Sequence, residues 1–490
     1  MTITQSKKKS LGQVFTPPWV VDIILERLRY DSAHILGKYV FEPGCGDGNF
    51  LYAIVQRYIQ YAQENKYSQE EIALGLEKYI YGVEIDTEVY KACLKRLNEY
   101  ASTYVGREIS WNIYNLDILD IPKQQFPKFD YVIGNPPYVR IHNLDKKRLS
   151  EIKDRFHFCK NGIIDLFLVF FEIGIFSLSE NGQLGFITPN SFIHNSTYGQ
   201  FREYLRDHML VKELINFGEH IVFDDASTYT AITILDQNHH NPRIDYYEYE
   251  DKKLKYINTI NTESLKSKKW NLLNSDDSNF LESLHRKNEK IADCAVVQYG
   301  FATLRDEVYI FRGNNFGHGL QDVVLEEEVL YPVVKGSRYN GEHVMDKILY
   351  PYQRIEGQWR VIPENVLSAQ YPRTYKYLYS HRELLEKRSI DTNAVWYEYG
   401  RSQGVQTIHN EKLVISPIIK DRLKVFKVDR DTMVYSGIYV FLDKNSSYSL
   451  DYIMERLQSD EFTRYAMMLG KNMRGGYKNI NTRIIKDFPL

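Results

Sequence analysis

Short apolar runs alternate with stretches of helical spacing over the first half of the chain. "YVFEP" (Tyr39–Pro43) reads as a strand that ends in a glycine-rich turn, and "FLYAIVQRYIQYAQ" after it repeats apolar residues at helical intervals. "YIYGVEID" (Tyr79–Asp86) is a second strand, ending in acids, and "EVYKACLKRLNEY" is again helical. "ISWNIYNLDILD" and "FDYVIGNPPY" predict the third and fourth strands, and "GQLGFITPNSFI" and "AITILDQ" predict later ones. "IIDLFLVFFEIGIFSL" (Ile163–Leu178) carries Asp165 and Glu172 and is too short to span a bilayer, so it reads as a buried helix. Alternation of this kind predicts an α/β domain, a mostly parallel sheet with helices on its two faces.

Near His239 the pattern weakens into a polar stretch rich in Asn, Ser and Lys. From about Ile291 short aromatic and β-branched runs return, separated by turns: "VVQYGFATLRDEVYIFRG", "ILYPYQ", "KLVISPIIK" and "GIYVFL". A helical segment, "SLDYIMERLQSDEFTRYAMML", follows. The expected organisation is a first domain over residues 1–240, a connecting segment over 241–285 and an α+β domain over 286–490. The 490-residue length agrees with more than one core.

Composition narrows the class. Hydrophobic residues make up 43% and charged residues 26%, which describes a soluble globular protein, and no signal-peptide pattern opens the chain. With a net charge of −2, any surface for a polyanion must be local. The C-terminal stretch offers one: Lys471, Arg474, Lys478, Arg483 and Lys486 stand against a single acid, Asp487. Cys45, Cys93, Cys159 and Cys294 are far apart in sequence. They fit neither a zinc site of Cys pairs nor a disulfide framework, and point to a reducing cytoplasm.

The candidate chemistry gathers at strand ends. "FEPGCGDGNF" puts Gly44, Gly46 and Gly48 between a strand and a helix, where glycines let a ligand approach the backbone. The second strand ends with Glu84 and Asp86, suited to ribose hydroxyls. The third ends with Asp117 and Ile118, an acid and an aliphatic residue suited to an adenine amino group and ring face. The glycine spacing is not the dinucleotide fingerprint, and Glu42 and Asp47 beside it would repel a pyrophosphate. S-adenosylmethionine, with an ammonium, a sulfonium, a ribose and an adenine, fits better. "GNPPYVR" then ends the fourth strand with two prolines that cannot continue a ladder.

In this order, "GQVFTPP", "FEPGCGDGNF", "YGVEID", "NLDIL", "GNPPYVR" and "GQLGFITPNSFI" resemble the successive motifs of the TaqI-type, or gamma-class, adenine-N6 DNA methyltransferases of restriction-modification systems. The likeness covers roughly Leu11 to Leu235. More loosely, "GFATLRDEVYIF" and "WYEYGRSQG" are similar to that family's target-recognition domain. The resemblance implies a Rossmann-like class I methyltransferase domain followed by an α+β target-recognition domain. It implies transfer of a methyl group from S-adenosylmethionine to N6 of an adenine flipped out of double-stranded DNA.

Carried over motif by motif, Thr16 would close over the methionine part of the cofactor, and Glu42 and Gly44 would belong to the glycine-rich motif. Glu84 would bind the ribose, Ile85 would pack on the adenine, and Asp117 and Ile118 would hold its edge. Phe170 is expected to pack on the cofactor adenine. Asn135 and Pro136 would accept the hydrogens of the target amino group, with Asn135 also facing the cofactor. Tyr138 would stack on the flipped base, and Phe223 would sandwich it from the other side, with Tyr229 in reserve. Arg140 reads as a phosphate contact or a surface charge, and no metal is expected.

The same tetrapeptide would also suit cytosine N4, an RNA adenine or a protein glutamine amide. Glutamine methyltransferases carry their extra mass before the glycine-rich motif, and here it follows. A fused nuclease would need residues ahead of "FTPP", and a non-catalytic module would not need an intact Asn135-Pro136-Pro137-Tyr138. The expectation is a monomeric, cytoplasmic DNA methyltransferase of two domains, with DNA between them and any cognate endonuclease a separate chain. The recognition sequence is not legible.

Overall fold

A computed structural model describes residues 16–490 except 32–33, 122–126, 140–145, 161–164, 219, 224–227, 268, 314–323, 343–345, 391–393 and 474. Arg140, Arg474, the "GQVF" ahead of Thr16 and the centre of "VFDDASTY" therefore lie outside the described residues. The chain divides into two compact units, Met1–Ser275 and Asp276–Leu490.

The first unit is built on a nine-stranded sheet in the order β3-β2-β1-β4-β5-β7-β6-β8-β9. The strands are β1 (Val40–Glu42), β2 (Ile80–Glu84), β3 (Asn112–Asn115), β4 (Phe129–Gly134), β5 (Leu178–Pro189), β6 (Val211–Asn216), β7 (Thr230–Asp236), β8 (Arg243–Glu250) and β9 (Lys253–Asn261). Pairings from β3 to β5 are all parallel, and so is β6 with β8. Those of β7 with β5 and β6, and of β8 with β9, are antiparallel.

Successive residues of a strand face opposite sides, and the core follows that rule. Phe41 and Val132 join one hydrophobic cluster, while Val40, Tyr131 and Ile133 join the cluster on the other face. Helices α1 (Pro18–Arg27), α2 (Asn49–Glu64), α3 (Gln69–Tyr79) and α4 (Thr87–Val105) cover the second face. In α2 the buried Phe50, Leu51, Ile54, Val55, Tyr58, Ile59 and Ala62 form the apolar stripe expected of a half-buried helix. Helix α4 starts where the Asp86 side chain accepts the Glu88 and Val89 N–H groups, and stops at Gly106 in the left-handed region. On the first face lie α5 (Lys146–Arg155) and α6 (Leu166–Ser177). Buried almost throughout, α6 has Phe167, Val169, Phe170 and Phe171 among its core residues. This is the helix expected from the apolar run at 163–178.

Two sequence expectations change. Residues 243–261, placed in a connecting segment, form β8 and β9 and extend the sheet. Strand β6 was not anticipated. "VKELIN" mixes charge with apolar residues, yet Glu213 is buried because Arg27 of α1 pairs with it.

The second unit is α+β. One antiparallel sheet orders Ala295–Tyr299, Ile438–Leu442, Lys412–Ile415 and Val425–Val428. Another contains Ile310–Phe311, Lys347–Leu349, Leu330–Lys335 and Met433–Tyr435. Its core is unusually aromatic, with Phe301 stacked on Tyr399 at 4.6 Å and Trp359 on His409 at 3.9 Å. Among the described residues no helix is long and apolar enough to cross a membrane, and no cluster of His, Cys, Asp and Glu has the form of a metal site.

Candidate active site

Strand order reverses between β1 and β4, and ligands of open α/β sheets bind at the carboxyl ends of the strands beside such a reversal. The sequence motifs converge at that place. Glu42 ends β1 and Gly134 ends β4. A Cβ built on Gly134 would lie 3.5 Å from Glu42 Cγ, so the two strand ends touch. Asn135 follows Gly134, and its Nδ2 donates to Thr16 Oγ1 at 3.1 Å across 119 residues of chain. The amide therefore turns its nitrogen to the N-terminal motif and its Oδ1 the other way.

The loop after β1 is shaped by its glycines. Gly46 and Gly48 have φ of +54° and +82°, a region that side chains rarely tolerate. A Cβ on Gly48 would also lie 2.6 Å from Cys93 Sγ. At Gly44 a Cβ would come within 3.1 Å of the Phe170 ring, so α6 brings this ring against the loop. The loop is tied to β2 by the Cys45 N–H to the Val83 carbonyl, 2.9 Å.

Each acid has a defined setting. Glu42 is 2% exposed, and its Oε2 has no hydrogen-bond partner among the described residues. Burial pushes its carboxyl well above the usual carboxylate range, and Cys93, Asp47 and Glu84 push the same way. Glu84 accepts the Gly46 N–H at 2.9 Å on Oε2 and the Asp86 N–H at 2.8 Å on Oε1. These two bonds orient the carboxylate at the end of β2. Ile85, next in the chain, is 51% exposed. Asp117 Oδ1 accepts the Leu119 N–H at 2.9 Å, and its Oδ2 lies 2.7 Å from Arg148. Ile118 is buried beneath it.

Two residues escaped the sequence reading. Asn115, at the end of β3, donates to the Glu84 and Ile85 carbonyls at 2.8 and 3.2 Å and accepts from Thr87 Oγ1 at 2.7 Å. It fixes the strand end that presents Ile85. Its signal was its place, two residues before an acid already singled out. Arg148 gave no such signal, because "KKRLSEIKDR" reads as a solvated face.

The aromatic pair lies beyond Asn135. Tyr138 and Phe223 have centroids 5.9 Å apart with planes at 72°, an edge-to-face contact. Burial raises the Tyr138 phenol well above its ordinary value, and its hydroxyl faces the Ile187 carbonyl at 3.4 Å. Phe223 is 2% exposed. Tyr229 is half-buried and uses its carbonyl to accept the Asn190 N–H at 2.9 Å.

These residues fit S-adenosylmethionine. Glu42 is a buried acceptor where a cation would sit, Glu84 and Asp117 are oriented acceptors at successive strand ends, and Ile85 is an exposed apolar surface between them. The sheet is large, mixed and mostly parallel, and this loop lies at its switch point.

Known proteins narrow the likeness. A family model described as Eco57I restriction-modification methylase matches residues 78–223. The chain is 25% identical over 543 aligned positions to the type II restriction enzyme and methyltransferase RM.Eco57I of Escherichia coli, covering 93% of this chain and 54% of that protein. It is 24% identical over 533 positions to the type II methyltransferase M.BstVI of Geobacillus stearothermophilus, covering 100% of this chain and 91% of that one. The chain thus spans about half the length of the first relative and about nine-tenths of the second. Among solved structures, the type IIL restriction-modification enzyme MmeI in complex with DNA matches with a TM-score of 0.62 at 14% identity, over 99% of this chain and 69% of that one. The chain resembles the methyltransferases of restriction-modification systems.

Proposed function

We propose that this chain is a site-specific DNA methyltransferase that transfers the methyl group of S-adenosylmethionine to N6 of an adenine flipped out of double-stranded DNA. The observation that carries the reading is the junction of Asn135 with Thr16 beside Glu42, at the switch point of the sheet. The relatives named type II methyltransferases, and the neighbour solved on DNA, support DNA as the substrate. The second unit is then the region that selects the sequence.

When bound, S-adenosylmethionine supplies an electrophilic methyl group on a sulfonium. Glu42 holds the ammonium of the methionine moiety, Glu84 the ribose, and Asp117 with Ile85 and Ile118 the adenine. Phe170 backs the loop at Gly44. On the substrate side, Asn135 Oδ1 and the Pro136 carbonyl accept the two hydrogens of the target amino group. That draws its lone pair out of conjugation with the ring and toward the methyl group. Pro136 and Pro137 stiffen the loop, so the acceptors need little reorganisation. Tyr138 stacks on the extruded base, and Phe223 closes the opposite side.

Long-read sequencing of DNA from cells expressing the protein tests this directly. N6-methyladenine at one fixed sequence is expected. N4-methylcytosine would move the substrate to the alternative base, and no modified base in any DNA context would overturn the reading.

A further inference from the structure

Arg148 lies at the centre of an acidic turn. Its guanidinium is 2.7 Å from Asp117 Oδ2, 2.6 Å from Asp120 Oδ1 and 3.4 Å from Glu151 Oε2. Seven residues along the same helix, on the same face, Arg155 grips the same turn by its backbone. Its Nη1 donates to the Leu119 carbonyl and its Nη2 to the Ile121 carbonyl, the latter at 3.3 Å. Helix α5 thus clamps residues 117–121 with two arginines, one on carboxylates and one on carbonyls.

The turn needs such a clamp. It follows a four-residue strand at the border of the sheet, and Asp117, Asp120 and Glu151 would repel one another without a cation. The χ2 torsion of an aspartate is broad, so an unrestrained carboxylate on a partly exposed turn samples many orientations. Here the Leu119 N–H holds one oxygen and Arg148 holds the other.

We infer that Arg148 is a positioning residue for cofactor recognition: it locks the Asp117 carboxylate in the orientation that accepts the amino group of the cofactor adenine. The inference rests on the cofactor reading above. Arg148 itself does not touch the cofactor. With both oxygens pinned, the remaining lone pairs of Asp117 point in fixed directions, and a purine with an amino group is preferred over one with a carbonyl at the same position.

The test uses the full chain and two probes, S-adenosylhomocysteine and its inosine analogue, which carries a carbonyl in place of the amino group. Calorimetric titration of the wild type is expected to favour the amino probe by at least about tenfold. In Arg148→Ala the amino probe is expected to weaken by about tenfold while the inosine probe is unchanged, so the preference collapses. Arg148→Lys is expected to restore some of it. Equal weakening of both probes, or an unchanged preference, overturns the role. Should Arg148→Ala fail to fold, Arg148→Gln carries the same comparison, since it keeps the stem and removes the charge. A wild type that binds both probes equally, with Asp117→Asn no different, overturns the inference and leaves the methyltransferase reading standing. A wild type that binds neither probe overturns both.

Discussion

The two halves of the candidate site are prepared in opposite ways. On the side proposed for the cofactor, two of the acceptors are already committed to protein donors. Glu84 is held by two backbone N–H groups, and Asp117 by one N–H and one guanidinium. On the side proposed for the substrate, Tyr138 and Phe223 meet each other edge to face. One half is assembled in advance, and the other must open. On the proposed function, the difference teaches where recognition energy would go: the cofactor would meet acceptors already oriented, whereas a flipped base would have to push a pair of rings apart before it could stack.

The largest effect that tests this contrast is expected at the junction of the halves. Asn135→Ala should lower methyl transfer by roughly 10²–10³-fold, the scale of losing one preorganised polar group at the reacting atom. Cofactor affinity by equilibrium titration should change little. Equal losses of binding and turnover would show that the halves are not separable. Next come the rings. Tyr138→Ala and Phe223→Ala should each cost about 1–3 kcal/mol in the stability of the flipped base. The readout is the fluorescence of 2-aminopurine at the target position, which brightens when the base leaves the duplex. If neither variant alters it, the rings are core and not a platform.

The rigid half predicts a stability effect. Gly48→Ala forces a left-handed backbone on a side chain and drives its methyl group into Cys93, at a cost of about 1–3 kcal/mol in denaturant unfolding. Adding Cys93→Gly should recover the steric share and not the backbone share. The smallest signal is a proton. Because burial keeps the Glu42 carboxyl high, it is protonated in the protein above the usual carboxylate range, and stability falls as pH rises through its raised value. A bound cation favours the ionised form, so cofactor binding should release a proton in that pH window. Calorimetry in buffers of different ionisation enthalpy would measure it. Glu42→Gln should abolish the release, and an unchanged proton count would remove Glu42 from the ammonium site.

Much of the geometry of the candidate site was legible because its polar residues sit where strands end. Glycines with positive φ, prolines that stop a ladder and acids after apolar runs are local signals, and the topology brings them together without further information. What was hidden depends on partners distant in sequence. Strand β6 mixes charge with apolar residues, and the cation that pairs with Glu213 sits far away in sequence, on α1. Strands β8 and β9 read as a connection because "RIDYYEYE" and "KLKYINTIN" keep one side toward solvent and carry Tyr and Thr where buried strands carry Ile and Val. Arg148 was one basic residue among many until the fold set it against Asp117.

The added pair of strands also decides how the protein behaves in company. Among the described residues, the nine-residue β9 pairs in the sheet on one side only, with β8. Lys253 and Lys255 stand exposed on that border, Lys255 paired with Glu250 at 2.9 Å, and charged side chains on an edge strand disfavour pairing with a second copy. The opposite border, β3, is only four residues long, with asparagine at each end. Neither border of this sheet invites growth strand by strand.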